Sequence, residues 1–178
     1  TYNQIEELMN GDYGNIDILW LDGGWVRPAR SGDAERAGKN YRGAQDIDMP
    51  KIAAMARRYQ PGILVVDRTV PGENENYQTP ERGIPETQLD HPWESCITLG
   101  WDWGYVPTDQ YKSPAAIIHT LVEIVAKGGN LLLGIGPKPD GTLPDQVVER
   151  LEKIGDWTIK NGEAIYNTRI TPVYNDGK

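Results

Sequence analysis

Residues 128–141 run Gly-Gly-Asn-Leu-Leu-Leu-Gly-Ile-Gly-Pro-Lys-Pro-Asp-Gly. Two glycines stop whatever precedes them, Asn130 to Ile135 supply an apolar run of strand length, and Gly136 to Gly141 make a sharp turn. Just upstream, Ser113-Pro114 opens a helix to Lys127, with Ile117, Leu121, Ile124 and Val125 on its apolar side and Gly128-Gly129 as its stop. Just downstream, a further helix begins near Leu143-Pro144-Asp145 and carries Val147, Val148, Leu151, Ile154 and Trp157. Helices on either side of a continuously apolar strand are the pattern of a parallel sheet covered by helices.

The rest of the chain repeats the alternation. Ile16 to Leu21 (IDILWL) follows the Gly14-Asn15 turn signal, ends at Asp22-Gly23-Gly24, and is expected as a buried strand. Asp48-Met49-Pro50 starts a helix with Asp48 as N-cap and Ile52, Met55, Ala56 and Tyr59 on one face. Pro61-Gly62 stops it, and Ile63 to Val66 is the second strand, ending at Asp67-Arg68. Glu94 to Leu99 is the third. Two irregular stretches, Arg27 to Gln45 and Thr69 to Pro92, are too long for ordinary connections, and loops of that length usually carry function or move.

Polarity concentrates where such folds build active sites. Asp22, Asp67-Arg68, Trp101-Asp102-Trp103 and the Gly136 turn all follow the C-terminal ends of the expected strands, so four loops are expected on one side. Asp22 is the sharpest candidate: a carboxylate directly after a strand, followed by two glycines that let a ligand approach closely. An Asx turn is the alternative. Trp20 points to the same side as Asp22, because side chains alternate along a strand. Trp101 and Trp103 would present two rings to one side if their segment is extended, as a stacking platform or as a hydrophobic plug. Arg68 could hold a hydroxyl or carboxylate, or form a surface ion pair. Cleavage of a glycosidic bond needs a second carboxylate, and Glu73, Glu75, Glu81, Glu86 and Glu94 are the choices. Glu94 stands at the wrong end of its strand. His119, on a helix among Ile and Leu, is expected to be a satisfied or solvent-edge histidine and not a catalytic one.

Composition removes other classes. The chain has 178 residues, net charge −8, two histidines, one cysteine and no phenylalanine. That acidity argues against a nucleic-acid backbone as partner. One cysteine makes no internal disulfide, and two histidines with it make no plausible zinc set, although carboxylate-bound calcium stays open. The apolar runs fall far short of the roughly 20 residues that span a bilayer, so no membrane partner is expected. The Gly136 turn lacks the residue order of a phosphate cradle. Six tryptophans and nine tyrosines suit a wet, sugar-like ligand, and suit partly buried positions equally.

Several segments together resemble the α-L-fucosidases of glycoside hydrolase family 29. They are WLDGGW at 20–25, VVDR at 65–68, YQTPE at 77–81, PWESC at 92–96, WGY at 103–105, GGNLLLGIGPKPDG at 128–141 and NGEAIY at 161–166. The resemblance covers essentially the whole chain in the family's order. It implies an α/β fold that is the C-terminal half of a (β/α)8 TIM-like barrel, because 178 residues fall short of the roughly 250 of a complete one. Residues 1–170 would form that part of the catalytic domain, and 171–178 the start of a linker. The family's upstream strands, with the histidines that bind fucose hydroxyls, and its C-terminal β-sandwich have no counterpart in this stretch. The exposed sheet edge would be covered by the missing half barrel or by a partner.

The resemblance further implies a retaining exo-glycosidase acting on terminal α-L-fucosyl residues of oligosaccharides or glycoconjugates, without metal or cofactor. Asp22 matches the nucleophile that forms a covalent glycosyl intermediate, and Glu81 the general acid and base, with Glu94 as the alternative. Trp20 and Arg68 match sugar contacts, and Trp103 the wall around the methyl face of fucose. The stretch alone is expected to be inactive, in a protein of the periplasm or cell exterior. The competing expectation is a fucose-binding or interaction module without turnover.

Overall fold

The computed structural model describes residues 1–22, 47–68 and 72–170. The expected Arg27–Gln45 loop, the Gly23-Gly24 pair and the 171–178 linker lie outside them. The chain divides into two units, Thr1–Gln78 and Thr79–Lys178.

The first unit holds α1 (Tyr2–Met9), β1 (Ile18–Leu21), α2 (Met49–Tyr59) and β2 (Leu64–Asp67). β1 and β2 pair in parallel, with Ile18 opposite Leu64 and Leu21 opposite Asp67. Alternation then sorts the side chains. Leu19 and Val65 face the helices and are buried with Ile5, Met9, Met49, Ile52 and Met55. Ile18 and Leu64 face the other way and stay 45 % and 42 % exposed, while Val66 on that same face is buried, so the face away from the helices is covered only toward the strand ends. The outer edge of β2 is closed by a single residue: Asn76 N–H donates to Val65 O, and Val65 N–H to Asn76 Oδ1, each at 2.8 Å.

Four expectations change here, the first being that β2 runs one residue later than the expected Ile63–Val66. Ladder partners trim the first strand to Ile18–Leu21, because Ile16 N–H donates to Gln60 Oε1 at 2.6 Å instead of entering the sheet. Asp48 precedes α2 with a left-handed backbone, φ 55°, and its carboxylate makes no capping hydrogen bond. Tyr59 is exposed, donating from its hydroxyl to Glu6 Oε1 at 3.3 Å.

The second unit holds β3 (Trp93–Thr98), α3 (Pro114–Ala126), β4 (Gly129–Gly134) and α4 (Asp145–Asn161), followed by a 3-10 turn at Gly162–Ala164. β3 and β4 pair in parallel over six residues, from Trp93 opposite Gly129 to Thr98 opposite Gly134. Both start one residue earlier than expected. Leu99, Ile117 and Val147 are buried at the centre of the core, with Leu131, Leu133, Leu151 and Ile154 packed around them. Val148, expected inward, is exposed, since the next helical position turns about 100° away. Ser113 caps α3 as expected, its Oγ accepting from Ala116 N–H at 3.2 Å. Gly128 leaves the helix at φ 81°.

The face of β4 turned from the helices carries Asn130 and Leu132, the latter 44 % exposed. Glu94 shares that face, because it is the register partner of Asn130. The edge of β3 away from β4 is also closed by the long loop. Cys96 N–H donates to Pro80 O at 3.0 Å, Arg82 N–H donates to Cys96 O at 2.8 Å, and Glu81 pairs with Cys96 in a parallel bridge. Edges closed by such short pieces leave few unpaired backbone groups as templates for aggregation. No helix among the described residues is long and apolar enough to cross a membrane.

Candidate active site

In the first unit the sheet itself assembles the cluster. The β1–β2 ladder runs one bond past β2, with Arg68 N–H donating to Leu21 O at 3.2 Å. That bond sets Arg68 beside Asp22, the residue after Leu21. Arg68 Nε lies 3.8 Å from Asp22 Oδ1, and the guanidinium lies 5.1 Å from the Trp20 ring centroid. Trp20, Asp22 and Arg68 are therefore brought together as expected, and the ion pair expected as one option for Arg68 is the pair with Asp22.

The arrangement is poised more than it is stabilising. Arg68 is 18 % exposed and Asp22 55 %, and a pair that open contributes at most about 1 kcal/mol. A guanidinium over an indole at a half-exposed place adds a similar amount. The Trp20 indole N–H is buried with no hydrogen-bond partner among the described residues. An unsatisfied donor beside a carboxylate and a guanidinium is the kind of group that a ligand hydroxyl satisfies.

In the second unit, Glu81 is exposed and paired with Cys96 halfway along β3. Glu94 sits two residues nearer the start of the strand, half-buried, with Oε1 lacking a hydrogen-bond partner among the described residues. Two strand residues span about 6.6 Å, so Glu81 stands that much closer to the C-terminal strand ends. Trp103 lies against Gly134 at the end of β4, where an added Cβ would stand 3.3 Å from Trp103 Cε3. The Arg82 guanidinium stacks on the Trp103 ring at 4.9 Å.

The Trp101–Trp103 segment is bent, not extended, so the two rings do not form one platform. Trp101 is 70 % exposed, and its backbone N–H donates to Asp109 Oδ1 at 2.9 Å. That bond, with a second from Gln110 N–H at 2.7 Å, holds the Asp109 carboxyl below its ordinary range. The loops after β3 and β4 meet directly, since a Cβ on Gly136 would stand 3.0 Å from the carbonyl carbon of Gly104. His119 is exposed on α3, as expected. Sequence reasoning passed over Arg82 and Lys112. Arg82 has a left-handed backbone, φ 53°, and no composition or periodicity announces that.

Helix-backed parallel strands that gather an indole, a carboxylate and a guanidinium at their C-terminal ends define an α/β protein whose polar groups are displayed where such folds act. The family model described as Alpha-L-fucosidase matches residues 1–163, and the chain belongs to that family. The tissue alpha-L-fucosidase of Homo sapiens is 31% identical over 179 aligned residues, covering 95% of this chain and 35% of the human protein. The alpha-L-fucosidase of Dictyostelium discoideum is 42% identical over 94 residues, which is 51% of this chain and 20% of that protein. Among solved structures, alpha-L-fucosidase isoenzyme 1 from Paenibacillus thiaminolyticus superposes with TM-score 0.79 at 29% identity, covering 97% of this chain and 41% of that one. The Thermotoga maritima alpha-fucosidase solved in complex with fucose gives TM-score 0.70 at 31% identity, covering 96% and 35%. The chain thus spans from 20% to 41% of the length of these relatives.

Proposed function

We propose that this chain is part of the catalytic domain of a retaining α-L-fucosidase, the C-terminal half of a (β/α)8-type barrel. The observation that carries the assignment is the Trp20–Asp22–Arg68 cluster at the strand ends, in a chain of this family. Asp22 attacks the anomeric carbon of a terminal α-L-fucosyl group as the bond to the leaving oxygen breaks. Glu81 gives that oxygen its proton. In the second half, Glu81 takes a proton from water, the water oxygen attacks the anomeric carbon, and the Asp22 carboxylate is released.

Arg68 and the Trp20 indole N–H hold fucose hydroxyls, and the exposed Trp103 ring forms a wall against the apolar face of the sugar. Glu81 is preferred to Glu94 because it stands nearer the strand ends and is open to solvent, as a group exchanging protons with water must be. Substrates are fucosylated oligosaccharides or glycoconjugates, which places the enzyme in the periplasm or outside the cell. The bare faces carrying Ile18, Leu64 and Leu132 would line the interior of the complete barrel.

The test is Asp22→Gly in the complete enzyme, assayed on an aryl α-L-fucoside. Turnover should fall by on the order of 10⁴-fold, the scale of losing a residue that acts in concert with others. Added azide should restore consumption of the fucoside and give a fucosyl azide of inverted configuration. Undiminished hydrolysis by Asp22→Gly would overturn the assignment. Fucose binding by the unaltered protein without hydrolysis would favour a binding module.

A further inference from the structure

Beyond the end of β3, Arg82, Thr98, Trp101, Gln110, Tyr111 and Lys112 line a cleft of about 410 Å³. That volume lies in the range of small-molecule sites, and it holds about one sugar ring with its substituents. Its polar groups are lopsided. The Arg82 guanidinium stacks on Trp103 and pairs with no carboxylate among the described residues. Lys112 Nζ donates to Thr98 O at 2.6 Å and to Gly100 O at 3.2 Å, which leaves one of its three N–H donors uncommitted. The nearby acid, Asp109, already accepts from Trp101 and Gln110 through Oδ1.

We propose that this cleft is a subsite for an anionic sugar, one bearing a sulfate or carboxylate, on the leaving-group side of the scissile bond. The inference rests on the fucosidase assignment for its place in the reaction. Arg82 directly follows Glu81, and consecutive Cα atoms are about 3.8 Å apart. A general acid must reach the leaving oxygen within hydrogen-bond distance, so a cation one residue on lies within a sugar's breadth of the leaving group.

Two further observations point the same way. Arg82 keeps φ 53°, a conformation that costs a non-glycine residue energy and persists where the surroundings impose it. In that conformation its N–H donates to Cys96 O and its guanidinium lies over the Trp103 ring. Burial pushes the Lys112 ammonium below its ordinary range and the Arg82 charge pushes it further, against the smaller opposing pull of the Asp109 carboxylate, so the two cations that line the cleft repel one another. An anion between them relieves that repulsion. The chain as a whole carries net charge −8, which makes a local cationic cleft a selective feature and not a diffuse one.

The experiment uses the complete enzyme and four fucosides: an aryl fucoside, fucosyl-galactose, fucosyl-galactose carrying a 6-sulfate, and a fucosyl-galacturonide that distinguishes carboxylate from sulfate. In the unaltered enzyme, kcat/KM for an anionic disaccharide should exceed that for the neutral one by about tenfold at low salt, the scale of one charge-assisted hydrogen bond. The preference should shrink as salt is raised. Arg82→Asn, chosen because Asn accepts a left-handed backbone, should bring the ratio close to one. Hydrolysis of the aryl fucoside with no anionic preference overturns the subsite and leaves the fucosidase assignment standing. If the aryl fucoside is not hydrolysed, titration with galactose 6-sulfate against galactose, followed by tryptophan fluorescence, decides the subsite alone. Saturable quenching by the sulfated sugar that Arg82→Asn removes supports it, and equal response to both sugars refutes it.

Discussion

Gly129 opens β4 beside its register partner Trp93, whose ring is 1 % exposed and whose indole N–H donates to Lys127 O at 3.3 Å. A Cβ at position 129 would stand 2.5 Å from Trp93 Cε2 and 2.6 Å from Cη2, distances that real Cβ contacts do not show. The ring has no free side to move toward, because it is buried and tethered. Gly129→Ala therefore forces either the ring out of its place or the strand out of register. Overpacking of this kind costs about 1–3 kcal/mol, and a ring held on all sides puts this substitution near 3 kcal/mol. With a urea slope of about 2 kcal/mol/M, the unfolding midpoint should drop by about 1.5 M. The transition is followed by tryptophan fluorescence and by far-ultraviolet circular dichroism, whose agreement tests two-state behaviour. The contrast is Gly141→Ala, where the site is open but φ is 83°, so only backbone strain is added, about 1 kcal/mol. A Gly129→Ala midpoint within about 0.3 M of the parent would refute the reasoning, since at that slope it amounts to less than about 0.6 kcal/mol.

Arg68→Gln should lower kcat/KM on an aryl fucoside by 10- to 100-fold while costing less than about 2 kcal/mol in urea, because its ion pair and its indole contact are each modest. A loss of several kcal/mol with unchanged kinetics would make Arg68 structural. Asp109→Asn should loosen the loop that begins at Trp101, seen as faster amide exchange at Trp101 N–H. The Asp109 carboxyl lies below its ordinary range when folded, so its stabilisation is present above about pH 4 and is lost as pH falls through the folded value. In the Asn variant that acid-side dependence of the loop should disappear, and an unaltered profile would show that another group governs it.

Much of the fold was legible because apolar strands and capped helices write themselves into the sequence. Ser113-Pro114 and Gly128 bound α3 where expected, and Leu131 and Leu133 are packed on the core. The strand boundaries moved by a residue or two because a parallel ladder is fixed by its partner, which no local pattern contains. Helix α1 escaped notice because only Ile5 and Met9 of its eight residues are buried and its Thr1 start makes no side-chain cap. The strand-end rule picked out Trp20 and Asp22 on one side of their strand and Arg68 after the next, and the ladder bond from Arg68 N–H to Leu21 O is what brings Arg68 beside Asp22. The single-residue bridge at Glu81 has no periodicity to detect, and neither it nor the left-handed Arg82 follows from composition. The bend at Trp101–Trp103 depends on a carboxylate eight residues away from Trp101, at Asp109.

The contact between Gly136 and Gly104 has a practical meaning for anyone redesigning the protein. At Gly136 the loop after β4 meets the backbone of Gly104 and Tyr105 in the loop after β3, so no side chain at that point absorbs a change in shape. A loop transplanted from a relative in place of one would collide with the other unless both are exchanged as a pair. The two loops thus form one heritable module, and recombination libraries should place their crossover points outside the span from Gly100 to Gly141.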